Sequence, residues 1–484
     1  MSIEKRAAHG VVWNIATGVG ARIVGLVGTL ILTRFIAPAD YGQVSAAVIC
    51  TQTAQQLSYF AVGQYIIANK SPPGIVFAAG VIHFVVGLLA MIGVYVLRGP
   101  LGDMLEAPEM GRYVIGFAVA IVIDRARHIP ERLLVRDLKF RSVAIVNSLG
   151  ELTFTATALA LAPRWGGYAI MGGTLARSCV TFVAFVTRVP RSEWLVFKWP
   201  EEGIVRKLFG YGTPIMLGAM ADRAASTWDN LLILRLFGAR LMGCYALSYS
   251  LAETPLIYVA ERMSDVLMPA FSKMEPAERP ATVVRSAGLM SLVVAPLGVG
   301  LGAVAPTVVH AFFDSRWAEM GAILSALSVG TIFQPAAWPA IAYLQTEKLT
   351  RTIMIVSAIR AVVLLSAVAT LGWLGGPVWA CIGVGIGFLA HSLVTVYATG
   401  VVTQLSARSY LFSTFRPLLA CVPMFFAVRA TGFAFARLQA PAALELVVEI
   451  AVGAIVYLLS AFILARKNVD ELLGLVRTNR AAKG

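Results

Sequence analysis

Apolar stretches of roughly 20 residues recur along the whole 484-residue sequence, and each is long enough to cross about 30 Å of hydrocarbon as a helix. The composition agrees, because 58% of the residues are hydrophobic and only 14% are charged. Soluble domains carry about 25% charged residues. Since a backbone inside lipid must satisfy its own hydrogen bonds, these stretches predict helices rather than open sheet. We therefore predict an all-α integral membrane protein.

Hydropathy predicts about 14 transmembrane helices, and twelve remain an alternative. The expected spans are 11–37, 40–63, 75–97, 111–131, 143–163, 167–187, 209–238, 240–268, 286–309, 319–345, 352–374, 377–402, 415–433 and 443–465.

The distribution of positive charge predicts the orientation of these spans. When residues at the ends of spans are counted with the adjoining loops, 24 of the 40 Lys and Arg residues fall on the side of the N-terminus, 9 on the opposite side and 7 deep within spans. Cytoplasmic loops carry the excess of positive charge, so both termini are expected in the cytoplasm. The net charge of +14 then reflects orientation and contact with anionic lipid, and it gives no reason to expect nucleic acid as a partner.

The sequence contains no recognisable pattern of an enzyme active site or a cofactor site. The external loops are too short to hold a catalytic domain, and no nucleophile and base stand at a recognisable spacing. The five cysteines occur singly inside apolar runs, which favours buried small side chains over a metal site or a disulfide framework. We expect no metal and no cofactor.

An internal repeat relates two parts of the chain. "LILTRFIAPADYG" (30–42) aligns with "LLILRLFGARLMG" (231–243) at an offset of 201 residues, which matches Arg34 with Arg235 and Gly42 with Gly243. Further upstream Arg22 falls on Arg223. Because six spans separate the two segments, the orientation is the same and the repeat is parallel. We predict two six-helix lobes, residues 1–206 and 207–405, followed by a C-terminal helix pair with a basic tail, residues 406–484.

Polar residues lie on one face of the first helix of each predicted lobe. In the seventh span, Asp222, Ser226 and Asp229 share a face, and Arg223, Ser226 and Asn230 form an overlapping stripe. In the first span, Asn14 and Arg22 belong to a similar small and polar face. A charge at mid-membrane faces protein or water rather than lipid, so both faces are candidates for a substrate cavity. Asp222 and Arg223 can equally form a structural ion pair.

Other ionisable residues fall inside spans. Arg177 and Arg360 are single cations in apolar helices, and with Arg22 and Arg223 they are candidate substrate-binding cations. Glu151 and Glu253 can either pair with these arginines or couple transport to a proton or sodium ion. Arg125 lies near the cytoplasmic end of the fourth span, where solvation explains it as well as function does, and His83 is expected to pack in the protein.

The motifs resemble the polysaccharide transporter family, the Wzx-type flippases, and among them the WzxC-like group. "WDNLLILRLFGARLMGCYALSYSLAETPLIYVAERMSDVLMPAFSKM" (228–274) is similar to the seventh and eighth helices of that family. "LTRFIAPADYG" (32–42) and the cytoplasmic "RLLVRDLKFR" (132–141) are also similar to family motifs. The family belongs to the multidrug/oligosaccharidyl-lipid/polysaccharide exporter superfamily.

The resemblance implies two lobes around a central cavity and movement of an undecaprenyl-pyrophosphate-linked oligosaccharide across the bacterial inner membrane. The residues agree independently: Arg22 and Arg223 lie on equivalent helices of the two lobes, so we expect them to face each other across the cavity, where guanidinium groups suit phosphate oxygens. We expect a protein that acts as a monomer, with other polysaccharide-assembly proteins as candidate partners. A small-molecule or drug antiporter, a membrane-embedded glycan polymerase or ligase, and a non-transporting scaffold remain alternatives. The sequence leaves open the identity of the glycan and of any coupling ion.

Overall fold

The computed structural model describes residues 24–25, 27–68, 71–197, 203–403, 406–438 and 441–481, and every regular element in these ranges is helical. The first elements are α1 (Pro38–Leu57), α2 (Val62–Ala68), α3 (Pro73–Met104), α4 (Met110–Arg136), α5 (Phe140–Trp165), α6 (Tyr168–Val186) and α7 (Arg191–Trp194). The next are α8 (Ile204–Lys273), α9 (Arg279–Phe312), α10 (Met320–Gly330), α11 (Gln334–Thr346), α12 (Thr350–Gly375), α13 (Pro377–Thr403), α14 (Ala407–Leu438), α15 (Ala442–Leu464) and α16 (Arg466–Ala481). Short 3₁₀ turns occur at Ser315–Trp317 and Thr331–Phe333.

Ten helical stretches of the described residues are long and apolar enough to cross a membrane, which confirms an all-helical membrane fold. This count does not establish the expected number of fourteen. Helix α4 occupies the fourth predicted span but is not among the ten, and it carries Asp124, Arg125 and Arg127 in its second half. About half of the first predicted span, 11–37, lies outside the described residues, namely 11–23 and 26.

Helix α8 is interrupted at Gly238, where φ is 78° and ψ is 174°. A positive φ is readily adopted by glycine and strained for residues with a side chain. The interruption falls on the last residue of the seventh predicted span, 209–238, so α8 consists of two helical segments that meet where this span ends.

The lipid-facing surface is apolar. In the most apolar stretch of α15 only 22% of the residues are buried, and large side chains such as Leu89, Trp373 and Ile463 are exposed. The corresponding stretch of α9 is 61% buried, which makes α9 a central helix of its unit. A surface of this kind is expected where the solvent is hydrocarbon rather than water.

The described chain forms two compact units. Unit 1 contains the residues up to Arg223 together with Gly238–Gly243, and unit 2 contains Ala224–Phe237 and the residues from Cys244 onwards. In unit 1, α4 packs against α3 and α6, and α5 pairs with α6. In unit 2, α12 pairs with α13, while α9 packs against α10, α14 and α15. The three predicted domains, 1–206, 207–405 and 406–484, stay a prediction.

Two repeat-related glycines contact each other within unit 1. A Cβ at Gly42 would overlap the carbonyl oxygen of Ala239 and lie 3.0 Å from the amide nitrogen of Gly243. Conversely, a Cβ at Gly243 would overlap the carbonyl oxygen of Pro38 and lie 3.1 Å from the amide nitrogen of Gly42. Pro38 and Ala239, like Gly42 and Gly243, are separated by 201 residues. The two halves of the contact are therefore formed by residues that correspond in the sequence repeat. The two backbones approach so closely that any side chain at either position would force them apart.

Candidate functional site

Among the described residues of unit 2, the most buried carboxylate belongs to Asp229, in the segment of α8 before Gly238. Asp229 is 0% exposed. Its Oδ2 accepts a hydrogen bond of 2.5 Å from the hydroxyl of Tyr245, and its Oδ1 accepts one of 3.0 Å from the amide of Asn230. Because Tyr245 follows the interruption at Gly238, the bend in α8 allows this helix to supply both the carboxylate and its donor. Burying a carboxylate is expensive without such donors.

A second carboxylate lies on the same helix face as Tyr245. Tyr245, Tyr249 and Glu253 follow at intervals of four residues, so they share one face of α8. The rings of Tyr245 and Tyr249 are 5.9 Å apart. Glu253 Oε1 accepts a hydrogen bond of 3.2 Å from the side-chain amide of Gln334, at the start of α11. This face therefore contributes one carboxylate, Glu253, and the hydroxyl that donates to the other, Asp229, so each carboxylate has a neutral donor.

The cation near these carboxylates is Arg360, in the middle of α12. Its guanidinium lies within electrostatic range of the Asp229 and Glu253 carboxylates. Its guanidinium carbon lies 5.3 Å from the ring centre of Phe388 on α13, and its Nε is buried without a hydrogen-bond partner among the described residues. Arg360 is thus close enough to compensate negative charge without forming a closed ion pair with either acid.

These groups form what we call the unit 2 polar cluster: Asp229, Asn230, Tyr245, Glu253, Gln334 and Arg360. Two carboxylates and one guanidinium leave one uncompensated negative charge when both acids are ionised. One proton or one monovalent cation would balance it. Within the described ranges no group of three or more His, Cys, Asp or Glu side chains is arranged to hold a metal ion.

Two sequence candidates, Arg177 and Glu151, are brought together in unit 1. Arg177 Nη1 on α6 donates a hydrogen bond of 3.0 Å to Glu151 Oε1 on α5, and both side chains are more than a third exposed. Arg177 therefore has a carboxylate partner on the neighbouring helix. Of the two alternatives that the sequence left open for Glu151, pairing with an arginine or coupling transport to an ion, the structure shows the pairing.

Arg223 does not belong to the unit 2 polar cluster, although it lies on the same helix as Asp229. It is part of unit 1, where its Nη2 donates a hydrogen bond to the side-chain oxygen of Gln52 on α1. Asn14 and Arg22 lie outside the described residues, as does the side chain of Asp222. Their expected places at a cavity stay predictions.

Sequence reasoning did not select Tyr245 and Gln334. The spacing of Tyr245, Tyr249 and Glu253 was a readable signal, because it places three polar side chains on one face of an otherwise apolar helix. Gln334 gave no such signal, since a single amide in a span has no pattern of its own.

Arg125 is buried. Solvation near a helix end, one of the two explanations that the sequence allowed for it, is therefore wrong. It is 3% exposed. Its guanidinium donates to the carbonyl oxygens of Gln55 and Ser58 at 2.5 and 3.3 Å and to Ser58 Oγ at 2.6 Å, and it lies 3.1 Å from His83 Nε2. These carbonyls end α1, where a helix carries partial negative charge. Arg125 therefore compensates the C-terminus of α1, and His83 packs against it as expected.

A large concavity lies elsewhere in unit 2. It measures about 1020 Å³ and is bounded by the last turns of α9, by α10, by the first turns of α13 and by the second half of α14. Most of its lining is apolar, as at Pro306, Val309 and Phe425, with Arg429 at one side.

Known proteins resemble this chain along nearly its whole length. It is 23% identical to the succinoglycan biosynthesis transport protein ExoT of Rhizobium meliloti (strain 1021), over 98% of this chain and 97% of that protein. It is 21% identical to the lipopolysaccharide biosynthesis protein WzxC of Escherichia coli (strain K12), over 89% of each.

A solved structure and a protein family also match this chain. The lipid II flippase MurJ, in an inward closed conformation, superposes with a TM-score of 0.76 at 14% identity, over 95% of this chain and 100% of that one, and so shares the fold. The family described as "Polysaccharide biosynthesis protein" matches residues 31–322. Because this match spans more than half of the sequence, the chain belongs to the polysaccharide biosynthesis protein family.

Proposed function

We propose that this protein is a flippase that moves an undecaprenyl-pyrophosphate-linked oligosaccharide from the cytoplasmic to the outer leaflet of the bacterial inner membrane. It works by alternating access and serves the synthesis of cell-surface or exported polysaccharide. The single observation that carries this proposal is the full-length similarity to proteins named for polysaccharide transport, combined with a multi-pass helical membrane fold. The protein is a transporter and not an enzyme.

The unit 2 polar cluster supports a transport role. Two carboxylates, several neutral donors and one guanidinium inside a membrane domain are expensive to bury and mark ion or substrate pathways in such proteins. We propose that Asp229 and Glu253 couple transport to the uptake of a proton or a monovalent cation, and that Asn230 orients Asp229. Arg360, a candidate for pyrophosphate binding, is better supported as the counter-charge of these acids, because it lies within electrostatic range of both.

The cations proposed to meet the substrate pyrophosphate are Arg22 and Arg223, at equivalent positions of the repeat. A guanidinium binds phosphate oxygens through two parallel hydrogen bonds, which an ammonium group cannot reproduce. Asn14 and Asp222 are proposed as neighbouring polar groups. Arg177 is a weaker candidate, since it is already paired with Glu151. The apolar concavity of unit 2, of about 1020 Å³, suits part of an isoprenoid chain.

Positive charge in the loops supports a cytoplasmic location for both termini. A monomer is sufficient for the proposed mechanism. The antiporter and the polymerase or ligase alternatives are not favoured, because the full-length relatives are named for polysaccharide biosynthesis and transport.

An export assay tests the substrate site. Arg22→Ala and Arg223→Ala are expressed in a strain that lacks its own flippase for the glycan, with Arg98→Ala as the matched control. Arg98 is a half-buried arginine whose side chain donates to the carbonyl of Tyr95 on its own helix. We expect export to fall at least tenfold in the first two variants and to be unchanged in the control. Unchanged export in both test variants contradicts the proposed pyrophosphate site.

Reconstitution tests the function itself. In proteoliposomes, the purified protein should make a labelled lipid-linked oligosaccharide accessible on the opposite leaflet without changing its length. Elongation of the glycan by the protein alone would instead show a polymerase.

A further inference from the structure

A cavity of about 460 Å³ lies at the end of unit 2 where α9, α14 and α16 begin. Three basic side chains line it: Arg285 from α9, Arg416 from α14 and Lys467 from α16. One acidic side chain, Glu471, also lines it. None of these residues belongs to the unit 2 polar cluster.

The cavity has an excess of positive charge. Arg285 Nε lies 3.6 Å from Glu471 Oε2, so the single acid is already engaged. Among the described residues, no carboxylate lies within 4.0 Å of the Arg416 or Lys467 cations. Arg416 instead lies over the ring of Phe412, 4.4 Å from its centre. Two cations therefore remain available to an anion.

The wall of the cavity is fixed by packing. Asn468 is 4% exposed, and its side-chain amide donates a hydrogen bond of 3.4 Å to the backbone carbonyl of Ser413 on α14. Val469 is also buried. The first turns of α16 are thus part of unit 2, and Lys467 is held at the cavity rather than on a loose tail.

The cavity lies at the level of lipid head groups. The spanning helix α15 ends at Leu464, and α16 begins two residues later with Arg466. Arg416 is the second residue of the predicted span 415–433, so it lies where the apolar part of α14 begins. The cations therefore lie near the ends of membrane spans, where head-group layers are found.

Apolar side chains continue from the cavity into the membrane. Phe412, Phe415 and Leu419 follow one another on a single face of α14, and each is about half exposed. A lipid whose phosphate enters the cavity could lay its acyl chains along this face. A soluble anion would gain nothing from it, so the combination favours a lipid.

We propose that this cavity binds the phosphate head group of an anionic phospholipid, such as phosphatidylglycerol or cardiolipin, and that the lipid joins α16 to α14. Basic pockets between membrane helices bind head groups of this kind. Since Lys467 and Arg416 lie on different helices, a phosphate that contacts both stabilises the packing of α16 on unit 2. This site is independent of the proposed flippase activity.

Lipid binding to the purified full-length protein tests the proposal. Native mass spectrometry in detergent compares cardiolipin and phosphatidylglycerol with phosphatidylcholine. The test variant is Arg416→Gln/Lys467→Gln. The matched control, Arg408→Gln/Arg466→Gln, removes the same number of charges from the first turns of the same two helices, outside the cavity lining.

We expect the anionic lipids to bind the native protein and the control alike, and to bind the test variant at least tenfold more weakly. An equal loss in both variants, or equal binding of phosphatidylcholine, would overturn the proposal. Competition by inorganic pyrophosphate as strong as that by cardiolipin would also overturn it, since it would show a site for free phosphate. Lys467 is exposed, so the single variant Lys467→Gln repeats the measurement without risk to folding.

Discussion

The reciprocal glycine contact in unit 1 makes a quantitative prediction about paired substitutions. Gly42→Ala places a methyl group onto the carbonyl oxygen of Ala239, and Gly243→Ala places one onto the carbonyl oxygen of Pro38. In each case the obstacle is backbone, which cannot rotate away as a flexible side chain would. The two helical segments must move apart, by on the order of 1 Å.

The expected loss in the free energy of unfolding is the balance of two opposing effects. Overpacking a tight contact costs about 1–3 kcal/mol. Alanine is favoured over glycine in a helix by about 1 kcal/mol. We therefore expect each single substitution to destabilise the protein by up to about 2 kcal/mol.

The double substitution is more informative than either single one. One separation of the backbones makes room for both methyl groups, because the two overlaps lie at the same crossing. The free-energy cost of Gly42→Ala/Gly243→Ala should therefore be smaller than the sum of the single costs, by about 0.5–2 kcal/mol. Independent sites would give additive costs.

Thermal unfolding of the purified protein in detergent, followed by tryptophan fluorescence at one fixed scan rate, measures these differences. Gly218→Ala is the control, because Gly218 lies in the same helix α8 and a methyl group there would meet no atom within 4 Å. We expect the control to leave the Tm unchanged or raised. A Tm in the two test variants as high as in the control, or strictly additive losses in the double variant, would refute the close reciprocal contact.

Two further substitutions test individual contacts. Tyr245→Phe removes the hydroxyl that donates to the buried Asp229, so it should lower the free energy of unfolding by about 1–3 kcal/mol in the same assay. The control Tyr397→Phe, at a tyrosine that is 70% exposed, should change it by less than about 0.5 kcal/mol. Equal effects of the two substitutions would contradict the buried hydrogen bond. Arg125→Lys keeps the charge but cannot reach the carbonyls of Gln55 and Ser58 together. Unfolding should therefore occur at a distinctly lower temperature than for the control Arg98→Lys, at a half-buried arginine that bonds only within its own helix. An unchanged Tm would rule out the proposed compensation of α1.

The positions of polar residues along a helix could be derived from the sequence. The helical period places Asp229 and Asn230 on the polar side of their span, and Gly238 is the last residue of that predicted span, where the structure bends α8. The repeat offset of 201 residues reappears as the contact between Gly42 and Gly243. These features are local, or depend on comparing two local patterns, so the sequence contains them.

The sequence by itself determined the all-helical membrane fold and the faces of helices that avoid lipid, because length, hydropathy and period are properties of each segment. Only the tertiary structure decided which charges meet. Arg177 pairs with Glu151 on the adjacent helix, and Arg125 donates to carbonyls at the end of α1. Arg360 lies near Asp229 although the two are more than a hundred residues apart in the sequence. The period of a helix fixes the direction of a side chain, but the packing of other helices decides what stands opposite it.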